Sequence, residues 1–169
     1  MIPNKIYLIG LPATGKSYFG KKLAERLVHD FVDLDAYIEE KAGQTIAEIF
    51  SEKGEDYFRK LEAGALNEIL GVQKSLIIAT GGGTPCFHDG IDQMLSSGAV
   101  IFLDIDEAVL IERLSQSDKR PLVQSDVKET VAKLKAKRQS TYERAHIQIL
   151  NRDVDALISK LENFNNSVL

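Results

Sequence analysis

Short runs dominated by apolar residues alternate along the chain with longer stretches whose apolar positions recur every three to four residues. The runs 5–9, 31–34, 76–79, 100–103 and 147–150 predict β-strands. Between them the helical spacing covers 16–28, a pair of helices across 35–70, then 106–115 and 127–145. A last helix over 153–164 places Leu157, Ile158 and Leu161 on one face. Thr45 followed by Glu48 forms a capping box that opens a helix at Ile46, and Gly54 suits its stop. Strands that are apolar throughout and separated by helices imply a parallel sheet covered on both faces. The expected fold is a three-layer α/β domain with a five-stranded parallel sheet, in which ligands bind beyond the carboxyl ends of the strands. No internal repeat or low-complexity tract interrupts this plan, and only 163–166 looks frayed.

The first strand runs into Gly10-Leu11-Pro12-Ala13-Thr14-Gly15-Lys16-Ser17, which satisfies G-x-x-x-x-G-K-[ST] at every fixed position, and a helical pattern leaves it through Tyr18. Unpaired backbone N–H groups at a helix N-terminus form an anion site, so Ala13, Thr14, Gly15, Lys16, Ser17 and Tyr18 are expected to line the phosphates of ATP. Lys16 would reach the β- and γ-phosphates, and the Ser17 hydroxyl would ligate Mg²⁺. Such a loop predicts nucleotide binding and leaves the second substrate open.

The second strand ends in Asp33-Leu34-Asp35, and alternation predicts both carboxylates on one side of it. The pair can serve magnesium and a substrate hydroxyl, or Asp35 can simply cap the helix that follows. Thr80-Gly81-Gly82-Gly83-Thr84-Pro85 follows the third strand directly, and three glycines expose backbone donors to a ligand. Residues 115–123 break the helical pattern with polar residues and Pro121, as a cationic lid would, giving a lid of about 115–126. Arg138 and Tyr142, four apart, share a helix face, whereas Lys135, Lys137 and Arg144 read as surface charges.

Composition narrows the setting. At 169 residues with 44% hydrophobic content, the chain suits one domain with a substantial core. A net charge of −4 argues against a nucleic-acid partner. No apolar run suits a membrane span, and the first one is too short for a signal peptide. Cys86 is the single cysteine, which points to a reducing compartment and reads as a small buried hydrophobe. His29, His88 and His146 show no metal-ligand spacing. A cytoplasmic monomer is expected.

The ordered set GxxxxGKS, DLD, GExxFRxxE, TGGG, RPL and RxxxYxxA, running from Gly10 to Ala145, resembles the shikimate kinase family. The resemblance implies a P-loop kinase fold over 1–169 that phosphorylates the 3-hydroxyl of shikimate with ATP and Mg²⁺. It implies that Asp35 holds the shikimate hydroxyls and accepts the proton. Arg59 and Arg138 would clamp the substrate carboxylate, a task suited to guanidinium forks. Gly81, Gly82 and Gly83 would line the substrate pocket, and Asp33 would hold magnesium through water. Arg120 resembles the lid arginine that reaches the phosphates, while Arg113 and Arg152 match positions bordering adenine. The loop at Arg152 is short and lacks the family's proline, and Pro-Leu-Val stands where Pro-Leu-Leu is usual. Two alternatives are a related small-molecule kinase, such as a gluconate kinase, and a nucleotide-binding paralogue without catalysis.

Overall fold

A computed structural model of the chain describes residues 2–116, 124–150 and 153–164. The strands are β1 (Lys5–Ile9), β2 (Asp30–Asp33), β3 (Leu76–Ala79), β4 (Ala99–Leu103) and β5 (Ile147–Ile149). All neighbours pair in parallel, in the order β2-β3-β1-β4-β5. The helices among the described residues are α1 (Lys16–Leu27), α2 (Leu34–Ala42), α3 (Ile46–Lys53), α4 (Glu55–Gly71), α5 (Gly90–Ser97), α6 (Glu107–Ser115), α7 (Gln124–Tyr142) and α8 (Val154–Phe164). A 3₁₀ turn at Thr84–Cys86 follows the triple glycine.

Strand alternation sorts the core into two layers. Tyr7, Ile9, Ile78, Val100 and Phe102 face one way, against Leu34, Phe58, Leu66, Val131 and Tyr142. Ile6, Leu8, Ile77, Ile101 and Leu103 face the other way, against Phe19 and Leu23 of α1 and Leu157 and Leu161 of α8. Both faces are therefore covered, as continuous apolar strands require. The edge strand β2 is only half-buried, consistent with its aspartates at both ends.

The expected pair of helices across 35–70 is three. The capping box is in place: Thr45 N donates to Glu48 Oε2 at 2.7 Å and Glu48 N donates to Thr45 Oγ1 at 3.2 Å. Gly54, at φ 80°, ends α3 and admits α4. The short α5 had no expectation attached to it. Its apolar Ile91 and Met94 occupy eight residues between Gly90 and Gly98, too few for a periodic signal.

Because β1 lies at the centre and β3 beside it, the segments leaving β1, β2 and β3 emerge next to one another. They carry the phosphate loop, the aspartate pair and the triple glycine.

Candidate active site

The phosphate loop curls through left-handed backbone at Ala13, φ 61°, and Gly15, φ 88°. Gly15 is the N-cap of α1 and offers no side-chain cap, which leaves the helix N–H groups free for an anion. At Gly10 a Cβ would lie 2.5 Å from the Leu103 carbonyl oxygen, so the entry to the loop admits glycine only. Lys16 Nζ folds back over the loop and donates to the carbonyls of Gly10 and Leu11, each at 2.8 Å. Burial drives its pKa down to about 8, against the attraction of Asp35 and Asp33. Arg113 Nη1 donates to the Ala13 carbonyl at 3.2 Å, which sets that arginine on the outer side of the loop.

Asp33 and Asp35 do not share one side of a strand. β2 ends at Asp33, which is the N-cap of α2: its Oδ1 accepts from Asp35 N at 3.1 Å and Ala36 N at 3.3 Å. The cap is thus Asp33 rather than Asp35. Two demands compete for the segment, and N-capping wins because α2 would otherwise begin with unpaired N–H groups. The other Asp33 oxygen accepts from Ser17 Oγ. Asp35, freed from capping, sits in the first turn of α2 and lines the cavity. Its pKa is pushed up to about 6, first by burial and then by Asp33 and Glu62, with Lys16 opposing.

Four charged side chains crowd the triple glycine, Asp35 and Glu62 at Gly81, Arg138 at Gly82 and Arg59 at Gly83. A Cβ at Gly81 would meet Asp35 Oδ1 at 2.8 Å, and one at Gly82 would meet Arg138 Nη1 at 2.9 Å. One at Gly83 would overlap the Arg59 guanidinium, with Cζ and Nη2 each 2.6 Å away. The glycines are there because the charged groups take the space of their side chains. A cavity of about 310 Å³ runs from Lys16, Ser17 and Tyr18 past Asp33 and Asp35 to Thr80, Gly81 and Gly82.

Several residues whose part is not evident from the sequence build this site. Glu62, 2% exposed, accepts from Arg59 Nη1 at 2.8 Å and from Thr84 Oγ1 at 2.6 Å. Glu55 Oε1 accepts from Arg59 Nε at 3.2 Å and Nη2 at 3.0 Å. Their spacing of four before and three after Arg59 is the signal that would have found them. The Tyr142 hydroxyl donates to the Gly82 carbonyl at 2.5 Å. Cys86 is half-buried against the core, and burial raises its thiol pKa. His29 bonds backbone carbonyls and His146 accepts from Val100 N, both structural roles. Lys135 and Arg144 pair with Glu107 and Asp92. Arg120, with residues 117–123 of the expected lid, and Arg152 lie outside the described residues.

A phosphate loop on a five-stranded parallel sheet, opening on a cavity with Asp35 in its wall and the Arg138 and Arg59 guanidinium groups against the adjoining glycines, defines a P-loop kinase of small molecules. A family model described as shikimate kinase matches residues 12–163. The shikimate kinase of Persephonella marina is 42% identical over 146 residues, covering 86% of this chain and 88% of that one. The crystal structure of shikimate kinase from Bacteroides thetaiotaomicron superposes with a TM-score of 0.86 at 31% identity, covering 96% of this chain and 98% of that one. Shikimate kinase from Acinetobacter baumannii, in complex with shikimate, gives 0.84 at 32% identity, with 99% and 94% covered. This chain belongs to the shikimate kinase family.

Proposed function

We propose that the chain transfers the γ-phosphoryl group of ATP to the 3-hydroxyl of shikimate, giving shikimate 3-phosphate and ADP on the route to aromatic amino acids. The observation that carries the site assignment is the triple glycine, whose consecutive residues receive Asp35, Arg138 and Arg59 beside the phosphate loop. Asp35 and two guanidinium groups, set next to a triphosphate cradle, suit an acceptor that bears both a hydroxyl and a carboxylate.

Ala13 through Tyr18 take the phosphates, with Lys16 exchanging its loop carbonyls for the β- and γ-oxygens. Asp35 aligns the attacking hydroxyl and takes its proton, while Arg59 and Arg138 fix the carboxylate at the far end. Gly81, Gly82 and Gly83 admit the ring close to the backbone. Since phosphoryl transfer passes through a loose transition state, alignment and charge stabilisation carry most of the rate. Of the expected lid at about 115–126, Ser115 belongs to α6 and 124–126 to α7. Arg120, in the remainder, completes the phosphate clamp on closure, and Arg113 and Arg152 border the adenine. Arg113 already touches the loop carbonyl of Ala13.

The paired oxygens of Ser17 and Asp33 fit Mg²⁺, a hard cation that takes few protein ligands and keeps water and phosphate oxygens. When bound, the ion neutralises charge on the β- and γ-phosphates. We take the chain to act as one domain and as a monomer, since phosphate loop, acid and both arginines come from one copy. A cytoplasmic location fits the single cysteine. No helix among the described residues is long and apolar enough to cross a membrane.

A coupled assay of ADP release with shikimate, quinate and gluconate tests the substrate. Shikimate is expected to be turned over with kcat/KM at least about a hundredfold above the other two, because a buried polar site rejects acids that leave its groups unpaired. Equal turnover of gluconate would remove the assignment.

A further inference from the structure

The Arg59 guanidinium has carboxylates on its N–H groups and two aromatic rings close to its central carbon. Glu55 and Glu62 take three of its N–H groups, leaving one on each terminal nitrogen for a ligand. Its Cζ lies 5.2 Å from the ring centroid of Phe58 and 4.2 Å from that of Phe87. Phe58 is a core residue, 4% exposed, whose place the packing of α4 dictates. Phe87 is 39% exposed, so burial in the core does not account for where its ring sits.

The backbone holds that ring in place. Gly90 N donates to the Phe87 carbonyl at 2.9 Å across a turn whose central residues, His88 at φ 49° and Asp89 at φ 56°, are both left-handed. These are the dihedral signs of a type I′ turn, here made without glycine at either centre. Histidine and aspartate tolerate that region better than most side chains, yet two in succession carry a cost. Gly90 lies against the Thr84 carbonyl, so the turn is folded tightly onto the segment that follows the triple glycine. Gly83 and Phe87 thus wrap one guanidinium from a single stretch of five residues.

We propose that Phe87 is a positioning residue for substrate recognition. Its ring covers the face of the Arg59 guanidinium, excludes water from it, and leaves the in-plane N–H groups aimed at the carboxylate of the acid substrate. Cation–π attraction holds the stack, and a drier face strengthens the ion pairs made at the edge. The inference rests on the reading of Arg59 as a ligand of that carboxylate.

Calorimetric titration with shikimate, together with steady-state kinetics, on Phe87→Ala, Phe87→Leu, Phe87→Tyr and Arg59→Ala tests it. Phe87→Ala is expected to raise the shikimate Kd and KM about five- to tenfold, with kcat and the ATP KM within about twofold. Phe87→Tyr keeps the ring face and should match wild type. Phe87→Leu restores bulk without the ring and should resemble Phe87→Ala. Thermal melts of all four check folding, and the leucine and tyrosine variants decide the matter if the alanine variant fails to fold. A leucine variant with wild-type affinity overturns the ring-face account. Unchanged shikimate affinity in Phe87→Ala, alongside a loss of tenfold or more in Arg59→Ala, overturns the role of Phe87 and leaves Arg59 in place. Unchanged affinity in Arg59→Ala would instead remove the reading on which the inference rests.

Discussion

Asp35 and Lys16 face the same cavity, and burial pushes each towards its neutral form near physiological pH. Asp35 has a pKa of about 6 and Lys16 one of about 8. A base must be ionised to take the proton, and the lysine must be charged to draw on the phosphates. The kcat/KM profile for ATP should therefore be bell-shaped, rising through about 6 and falling above about 8. Bound triphosphate holds the lysine proton, so the alkaline limb should be absent from kcat measured at saturating ATP. The same shift has a stability consequence whose sign is fixed. The carboxyl pKa is raised from 3.8 in the free residue to about 6, so the folded form binds the proton more tightly. Its ionisation costs stability as pH rises from 3.8 to about 6. Asp35→Asn removes that cost. It should nearly abolish turnover yet melt higher than wild type at pH 8, by on the order of 1–2 kcal/mol after solvent screening, with the gain vanishing near pH 4. Equal melting temperatures at pH 8 and a flat acid limb would show that Asp35 is an ordinary solvated carboxylate. The Asp33-Leu34-Asp35 motif made both acids legible as site residues. Their division of labour was not, because it depends on which of them caps α2.

At the scale of elements, α1 begins in an anion site and ends in strain. Its C-cap, Val28, is left-handed at φ 55° and 91% exposed, a conformation that a β-branched side chain resists. The backbone bonds to the Ala24 carbonyl that hold this cap do not need the side chain, so Val28→Gly should relieve more strain than it adds in chain entropy. The net gain is about 0.5–1 kcal/mol, and the melting temperature should rise about 2 °C with activity unchanged. A lower melting temperature would mean that the cap stores no strain. α7 is fixed at its other end by chemistry: the Tyr142 hydroxyl, with its pKa raised by burial to about 12, stays protonated and donates to the Gly82 carbonyl. Tyr142→Phe keeps the packing against Phe102 and loses that bond together with the hydroxyl's hydrogen bond to Arg138. It should raise the shikimate KM severalfold, destabilise the fold by about 1 kcal/mol, and leave the ATP KM alone. A parallel rise in both KM values would instead implicate the fold as a whole. Elements with strong local signals were legible beforehand: the strand bounds of β1 and β3, the capping box of α3 and the Gly54 break needed nothing beyond neighbours in sequence. The eight-residue α5 and the turn at His88–Asp89 were not, since their shape is settled by contacts with Thr84 and Arg59 rather than by local periodicity.

For the molecule as a whole, the parallel sheet was legible from its apolar strands, but its order was not, because β1 pairs with strands more than sixty residues away. That order determines whether three separate motifs form one site or three. With β1 central and β3 beside it, the phosphate loop meets the triple glycine, and α2, α4 and α7 converge on the glycines with Asp35, Arg59 and Arg138. On the proposed assignment the nucleotide and acid subsites are adjacent but made by different side chains, so their contributions to stability should separate. Shikimate at a hundred times its Kd should stabilise the protein by about 2.7 kcal/mol, a shift of roughly 5–10 °C, and ADP with magnesium should do likewise at its own site. Arg59→Ala and Arg138→Ala each remove a proposed charged partner of the carboxylate and should abolish most of the shikimate shift while preserving the ADP shift. Lys16→Met should show the reverse, because it alters the phosphate loop and leaves both arginines in place. Thermal melts of the three variants with each ligand give six shifts that check this arrangement. If Arg138→Ala lost the ADP shift as well, the two subsites would be one cooperative unit, and the arginine would hold the phosphate loop rather than the acid.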